Sequence, residues 1–183
     1  MEQHFRCQGD AEMLSSLILI PFLSSLLVFF LPVSLDRLAE RLAVAAALVE
    51  LMAAFYVFRE FDAVKVGFQL TETVSWMSAW GSAYAVSVDG FSMVLIMLTA
   101  LLTLLVMIGA RSISQRRTSY LACLLLLEAA MIGVFVAMDL VTFYVFWEAM
   151  LIPMYFIIGI WGGERRIYAA LKFILFTALG SLP

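Results

Sequence analysis

Long apolar runs separated by short polar breaks set the pattern of this chain. Runs over 14–33, 38–58, 91–110, 120–138 and 140–161 each approach the roughly 20 residues that a helix needs to cross a bilayer. A sixth run opens near Ile167 and reaches Pro183 after about 17 residues, the lower limit for a crossing. No polar end or charged anchor follows it, so the chain reads as cut within that helix. The pattern predicts an all-α, polytopic transmembrane bundle of about six helices. It divides into a polar tail over 1–12, helices one and two over 13–58, an extracytoplasmic loop over 59–90, and helices three to six over 91–183. Within the long loop, 64–70 alternates weakly and Trp76 and Trp80 follow, which reads as strand-like or interfacial segments with tryptophans at headgroup level.

Composition sharpens the membrane reading. Hydrophobic residues make up 64% of 183 and charged residues 14%, more apolar surface than a soluble fold of this length can hide. The net charge of -3 singles out neither nucleic acid nor any other charged partner. Cys7 and Cys123 suggest no disulfide framework, because the second lies inside an apolar run. His4 and Cys7 fall short of the ligands that a metal site needs, and no metal is expected. The tail carries Glu2, Asp10 and Glu12 against Arg6 and lacks a small-residue cleavage site, unlike a signal peptide. It reads as a short tail, or as an upstream start ahead of Met13.

Basic residues orient the spans. Arg37, Arg41, Arg111, Arg116, Arg117, Arg165 and Arg166 fall on one side, and Arg6, Arg59 and Lys65 on the other. The positive-inside rule then puts the N-terminus outside. Asp89 and Asp139 each precede a predicted helix and suit N-caps, where a carboxylate accepts backbone N–H bonds. Pro21 reads as a kink.

The informative charge is Glu148, in the middle of the 140–161 run. A carboxylate at bilayer depth costs roughly 2.5 kcal/mol or more, and such residues mark ion and proton paths. If the helix starts near Leu140 on the outer side, Glu148 lies about 12 Å deep. Helical spacing puts Tyr144, Glu148, Ile152, Tyr155 and Gly159 on one face. The phenols of Tyr144 and Tyr155 could hydrogen-bond the acid or nearby water, and packing with interfacial anchoring explains them equally well. Pro153 cannot donate to the carbonyl of Ala149, which leaves a polar backbone group beside the acid. Two further charges lie in spans. Glu128 has an apolar face of its own and reads as a lone acid or as one paired with another helix or subunit. Lys172 lies about 8 Å from the inner end against about 20 Å for Glu148, too far to bond directly; a water-linked relation and snorkelling to the inner surface remain open.

Three blocks carry a resemblance. FWE-x-M-L-I-P-M-Y runs from Phe146, WGG-x-R-R-x-Y-A-A-x-K-F from Trp161, and SVDGFSMVLIMLTALL from Ser87. With MLSSLILIPFLSSLLVFFLP from Met13, they resemble the M subunit of bacterial NADH-quinone oxidoreductase (respiratory complex I), which is subunit four in mitochondria. The likeness covers nearly the whole chain and holds at polar and aromatic positions. It implies an antiporter-like, proton-translocating subunit in which Glu148 is the glutamate paired with a lysine on a seventh helix, with Glu128 and Lys172 also at family-typical positions. That lysine, a central lysine on helix eight and an exit residue on helix twelve would lie past Pro183.

The resemblance also implies membership of an oxidoreductase without redox chemistry on this chain. NADH, FMN, iron–sulfur clusters and quinone are expected on other subunits. Partners are then the other membrane-arm subunits and the lipid bilayer, with no nucleic acid, in the bacterial inner membrane. The alternatives are a subunit of a multi-subunit sodium/proton antiporter or of a membrane-bound hydrogenase, or a truncated remnant that moves no ions.

Overall fold

The structure is a computed structural model that describes residues 13–32, 35–77, 82–113 and 115–181, with 75–77 and 82 described by backbone alone. The readings of the tail 1–12, with His4 and Cys7, and of Trp80 lie outside the described residues, as does the side chain of Trp76. Among the described residues six α-helices follow in order: α1 (Met13–Phe29), α2 (Asp36–Glu60), α3 (Gly90–Gly109), α4 (Arg117–Val136), α5 (Leu140–Trp161) and α6 (Arg166–Ser181). Four are long and apolar enough to cross a membrane: α2, α3 with the 3-10 turn Ala110–Ser112, α4 and α5. The expected helical bundle is present.

The connection from α2 to α3 adds an antiparallel hairpin of β1 (Gln69–Met77) and β2 (Ser82–Val88). The strand character read at 64–70 is displaced, because β1 starts only at Gln69. The Gln69 side chain holds the preceding segment in a turn. Its Oε1 accepts from the Asp62 N–H, and its Nε2 donates to the carbonyls of Asp62 and Lys65. Gly67 supplies a φ of 111° there, open to glycine at little cost.

Helix ends follow local chemistry. Asp89 Oδ1 accepts from the Ser92 N–H at 2.7 Å and starts α3; Asp139 Oδ2 accepts from Val141 and Thr142 and starts α5. Both act as the caps that the sequence suggested. Helix α1 stops at Phe29, short of the predicted 33, where Leu31 turns back onto the Val28 carbonyl and Pro32 has no N–H to continue the ladder. Its first turn is capped from a distance: Glu72 of β1 accepts from the backbone N–H groups of Leu14 (2.6 Å) and Ser15 (3.1 Å) and from the Ser15 hydroxyl. A carboxylate there satisfies orphan donors and meets the positive helix end.

Helix α4 is the hub and packs on α1, α2, α3 and α5. The Ser25 hydroxyl ties α1 to the Ala122 carbonyl of α4 at 2.8 Å. Two apolar clusters fill the bundle. The hairpin-side cluster contains Leu17, Ala54, Val86, Val88, Ile96 and Ile132; the other contains Val28, Ala43, Met107, Leu121 and Leu125. At the far end Glu40 accepts from Arg111 and Arg117, each at 2.9 Å, and Asp36 accepts from the Thr118 hydroxyl. On the α4–α5 seam Gly133 leaves room for the Phe146 ring, which a Cβ would meet at 2.3 Å.

Candidate functional site

Helices α5 and α6 frame the candidate site. Glu148 lies eight residues past Leu140, or about 12 Å along the helix, and is partly buried. Its Oε1 accepts a hydrogen bond from the Ser181 hydroxyl at the end of α6. Ser181 also lines a cleft of about 830 Å³ between the two helices, together with Tyr144 and Trp147 of α5 and Phe176 and Thr177 of α6. The lining is mostly apolar, with a few hydroxyls at its edge.

The structure brings some predicted site residues together and keeps others apart. Tyr144 borders the cleft, but neither its phenol nor that of Tyr155 hydrogen-bonds Glu148; the Tyr155 ring packs edge-on against Phe156 at 5.6 Å. Ile152, on the predicted Glu148 face, is exposed. Pro153 is buried inside α5. Lys172 is exposed on α6 and its ammonium lies over the rings of Tyr168 (5.9 Å) and Phe176 (5.6 Å), a cation–π arrangement rather than a pair with Glu148. Sequence reasoning missed Ser181, since a lone serine in an apolar run carries no signal.

Glu128 lies in a different environment. It has no exposed surface, and neither carboxylate oxygen has a hydrogen-bond partner among the described residues. The hydroxyl of Thr103 on α3 is close enough to interact with it without meeting hydrogen-bond geometry. Beside it is an acid that the sequence reading passed over: Glu50 of α2, equally enclosed and equally unpartnered. The available signal was a charge within an alanine stripe of helical spacing, Ala39, Ala43, Ala47, Glu50, Ala54.

Backbone hydrogen bonding from Ser92 holds the Asp89 carboxyl below its ordinary value. Burial raises the Tyr84 phenol; its bond to Ser15 lowers it in part, and the nearby Glu72 carboxylate raises it further.

The chain is similar to known proteins in sequence and fold. Residues 137–183, which include α5 and α6, match a family model described as NADH:quinone oxidoreductase/Mrp antiporter, TM. The chain is 40% identical over 174 residues to NAD(P)H-quinone oxidoreductase chain 4 3 of Picosynechococcus, covering 94% of this chain and 32% of that protein. It is 37% identical over 180 residues to NADH-quinone oxidoreductase subunit M of Rickettsia conorii, covering 94% of this chain and 36% of the relative. A chain of respiratory complex I from Thermus thermophilus with bound NADH superposes with a TM-score of 0.79 at 31% identity, over 93% of this chain and 34% of that one. The chain thus spans about a third of the length of the proteins it matches. It is a multi-pass membrane protein, and the resemblance read in its FWE and WGG blocks, to the M subunit of NADH-quinone oxidoreductase, holds in both sequence and fold.

Proposed function

We propose that the chain is the N-terminal part of a proton-translocating membrane subunit of a bacterial NADH-quinone oxidoreductase. The observation that carries this reading is Glu148: a carboxylate at membrane depth, beside a cleft and a hydroxyl, inside the segment that matches the antiporter family model. Glu148 takes up and releases protons along the α5–α6 interface in response to a lysine on a later helix. Tyr144 and Tyr155 offer phenols to water near it, and Pro153 leaves the Ala149 carbonyl free to hold water. Glu128 and Lys172 are further charged stations on the route.

Electron transfer takes place elsewhere. NADH, FMN, iron–sulfur clusters and quinone are carried by other subunits, and this chain contributes no redox group. Its partners are the other membrane-arm subunits and the lipid bilayer, with no nucleic acid involved. It sits in the bacterial inner membrane with its N-terminus outside, as the greater number of arginines on the Arg111–Arg117 side supports. A sodium/proton antiporter subunit is the alternative, since the family model names both; the relatives at 37% and 40% identity favour the NADH-linked reading.

The test is Glu148→Gln in the complete subunit within its assembled complex. Proton pumping and coupled NADH oxidation should both fall several-fold while assembly persists. Wild-type turnover with wild-type proton yield in an assembled variant overturns the reading.

A further inference from the structure

A polar layer crosses the α1–α4 bundle between its two apolar clusters. On one side lie Ala47, Met107 and Leu125; on the hairpin side lie Ala54, Ala100 and Ile132. Between them, at matching heights, stand Glu50 of α2, Thr103 of α3 and Glu128 of α4. Both glutamates have 0% exposure, and all four carboxylate oxygens lack a hydrogen-bond partner among the described residues. The two carboxyl groups lie within electrostatic reach of each other, and Thr103 brings its hydroxyl to Glu128.

No base answers these acids among the described residues. Helices α1 and α3 contain no ionisable side chain. The other ionisable groups of α2 are Asp36, Arg37, Glu40 and Arg41 at one end and Tyr56, Arg59 and Glu60 at the other. Those of α4 are Arg117, Tyr120 and Cys123, toward the Glu40 end. Helix α5 carries Tyr144, Glu148 and Tyr155, and Glu148 is engaged by Ser181. The ion pairs of Arg111 and Arg117 go to Glu40.

Apolar side chains of similar volume would fill this layer at least as well, so packing alone does not account for two acids. Two carboxylates within electrostatic reach of each other in a sealed interior cannot both stay charged and uncompensated, so at least one must be neutralised by a proton or balanced by a cation. Oxygen-only ligands suit a proton or a hard cation rather than a soft metal. We propose that Glu50, Glu128 and Thr103 form an intramembrane binding site for one small monovalent cation: a proton shared between the carboxyls, or a sodium ion held by carboxylate and hydroxyl oxygens. The site gives Glu128 a partner on α2 outside the α5–α6 cleft, so its test does not depend on whether Glu148 carries protons.

The test is infrared difference spectroscopy on the complete subunit in its assembled complex, reconstituted in liposomes. Two exchanges are recorded: potassium for sodium at fixed pH, and a pH step at fixed potassium. Wild type should show a carboxyl band that disappears in Glu50→Gln and in Glu128→Gln and persists in Glu148→Gln. A band moved by sodium assigns a sodium site; a band moved by pH alone assigns a proton site. If the glutamine variants do not assemble, Glu50→Asp and Glu128→Asp keep the charge and should each shift the band. A wild-type spectrum without the band, or a band that no substitution at Glu50 or Glu128 alters, overturns the proposal.

Discussion

In the α1–α4 bundle Glu128 is enclosed by α2 and α3 and has no exposed surface, whereas in the α5–α6 pair Glu148 is partly buried beside an open cleft. The helices that carry them are of similar length, and both are apolar. What differs is their neighbours. Half of the apolar window of α4 is buried inside the fold, against 11% for α5. The same residue type is therefore sealed into a core in one helix and left at a surface in the other. Within these residues, a mid-helix glutamate can therefore sit in either surrounding, and the neighbours of its helix rather than its own span set which.

The seam between the two regions offers the largest test. Gly133 of α4 faces the Phe146 ring of α5 with no space for a Cβ. Gly133→Ala should destabilise the fold by about 2–3 kcal/mol in detergent unfolding, because an aromatic ring wedged between two packed helices has little freedom to move. Phe146→Leu added to it should recover part of that loss through coupling between neighbours. An unchanged midpoint in the single variant would mean that α5 docks loosely on the bundle.

A smaller effect is expected within the bundle alone. Glu72→Gln keeps the shape of the side chain but removes the charge from three hydrogen bonds to Leu14 and Ser15. The loss should be about 1.5–3 kcal/mol, read by the same unfolding measurement, with the geometry of α5 and α6 unaffected. A change confined to α5 and α6 would reverse the assignment of Glu72 to the bundle.

The smallest effect belongs to Asp89. Asp89→Ala removes the cap of α3 and should cost about 1 kcal/mol or less, since the site is near solvent. Because the folded carboxyl sits below its ordinary value, its contribution is full above the ordinary carboxylate range and disappears as acid protonates the folded group. Stability against pH should therefore converge for wild type and variant in strong acid and separate at neutral pH. A gap that stays constant across that range would show that the cap does not act through its charge.

How far the sequence could be read varied with what each residue depends on. Helix α5 spans the predicted residues because its signals are local, with Asp139 capping its start and Gly162 following its end. The strand character read at 64–70 begins only at Gln69, because the Gln69 amide closes the preceding residues into a turn back to Asp62, which periodicity does not encode. Glu148 stood out as a charge in an unbroken apolar run. Glu50 did not, because α2 has charged residues at both ends and its inward position becomes visible only when α4 packs on the alanine stripe. The Ser181 contact spans 33 residues and depends on how α5 and α6 pair, which lies beyond any local pattern.

The capping of α1 has a consequence for biogenesis. The carboxylate that completes its first turn comes from Glu72, 58 residues later than Leu14 in the order of synthesis. The first helix therefore leaves the ribosome before its finishing group exists, and the hairpin latches it only after the second helix has passed. Formation of α1 and its final locking are two events separated in time, and the hairpin serves as the clasp of the second.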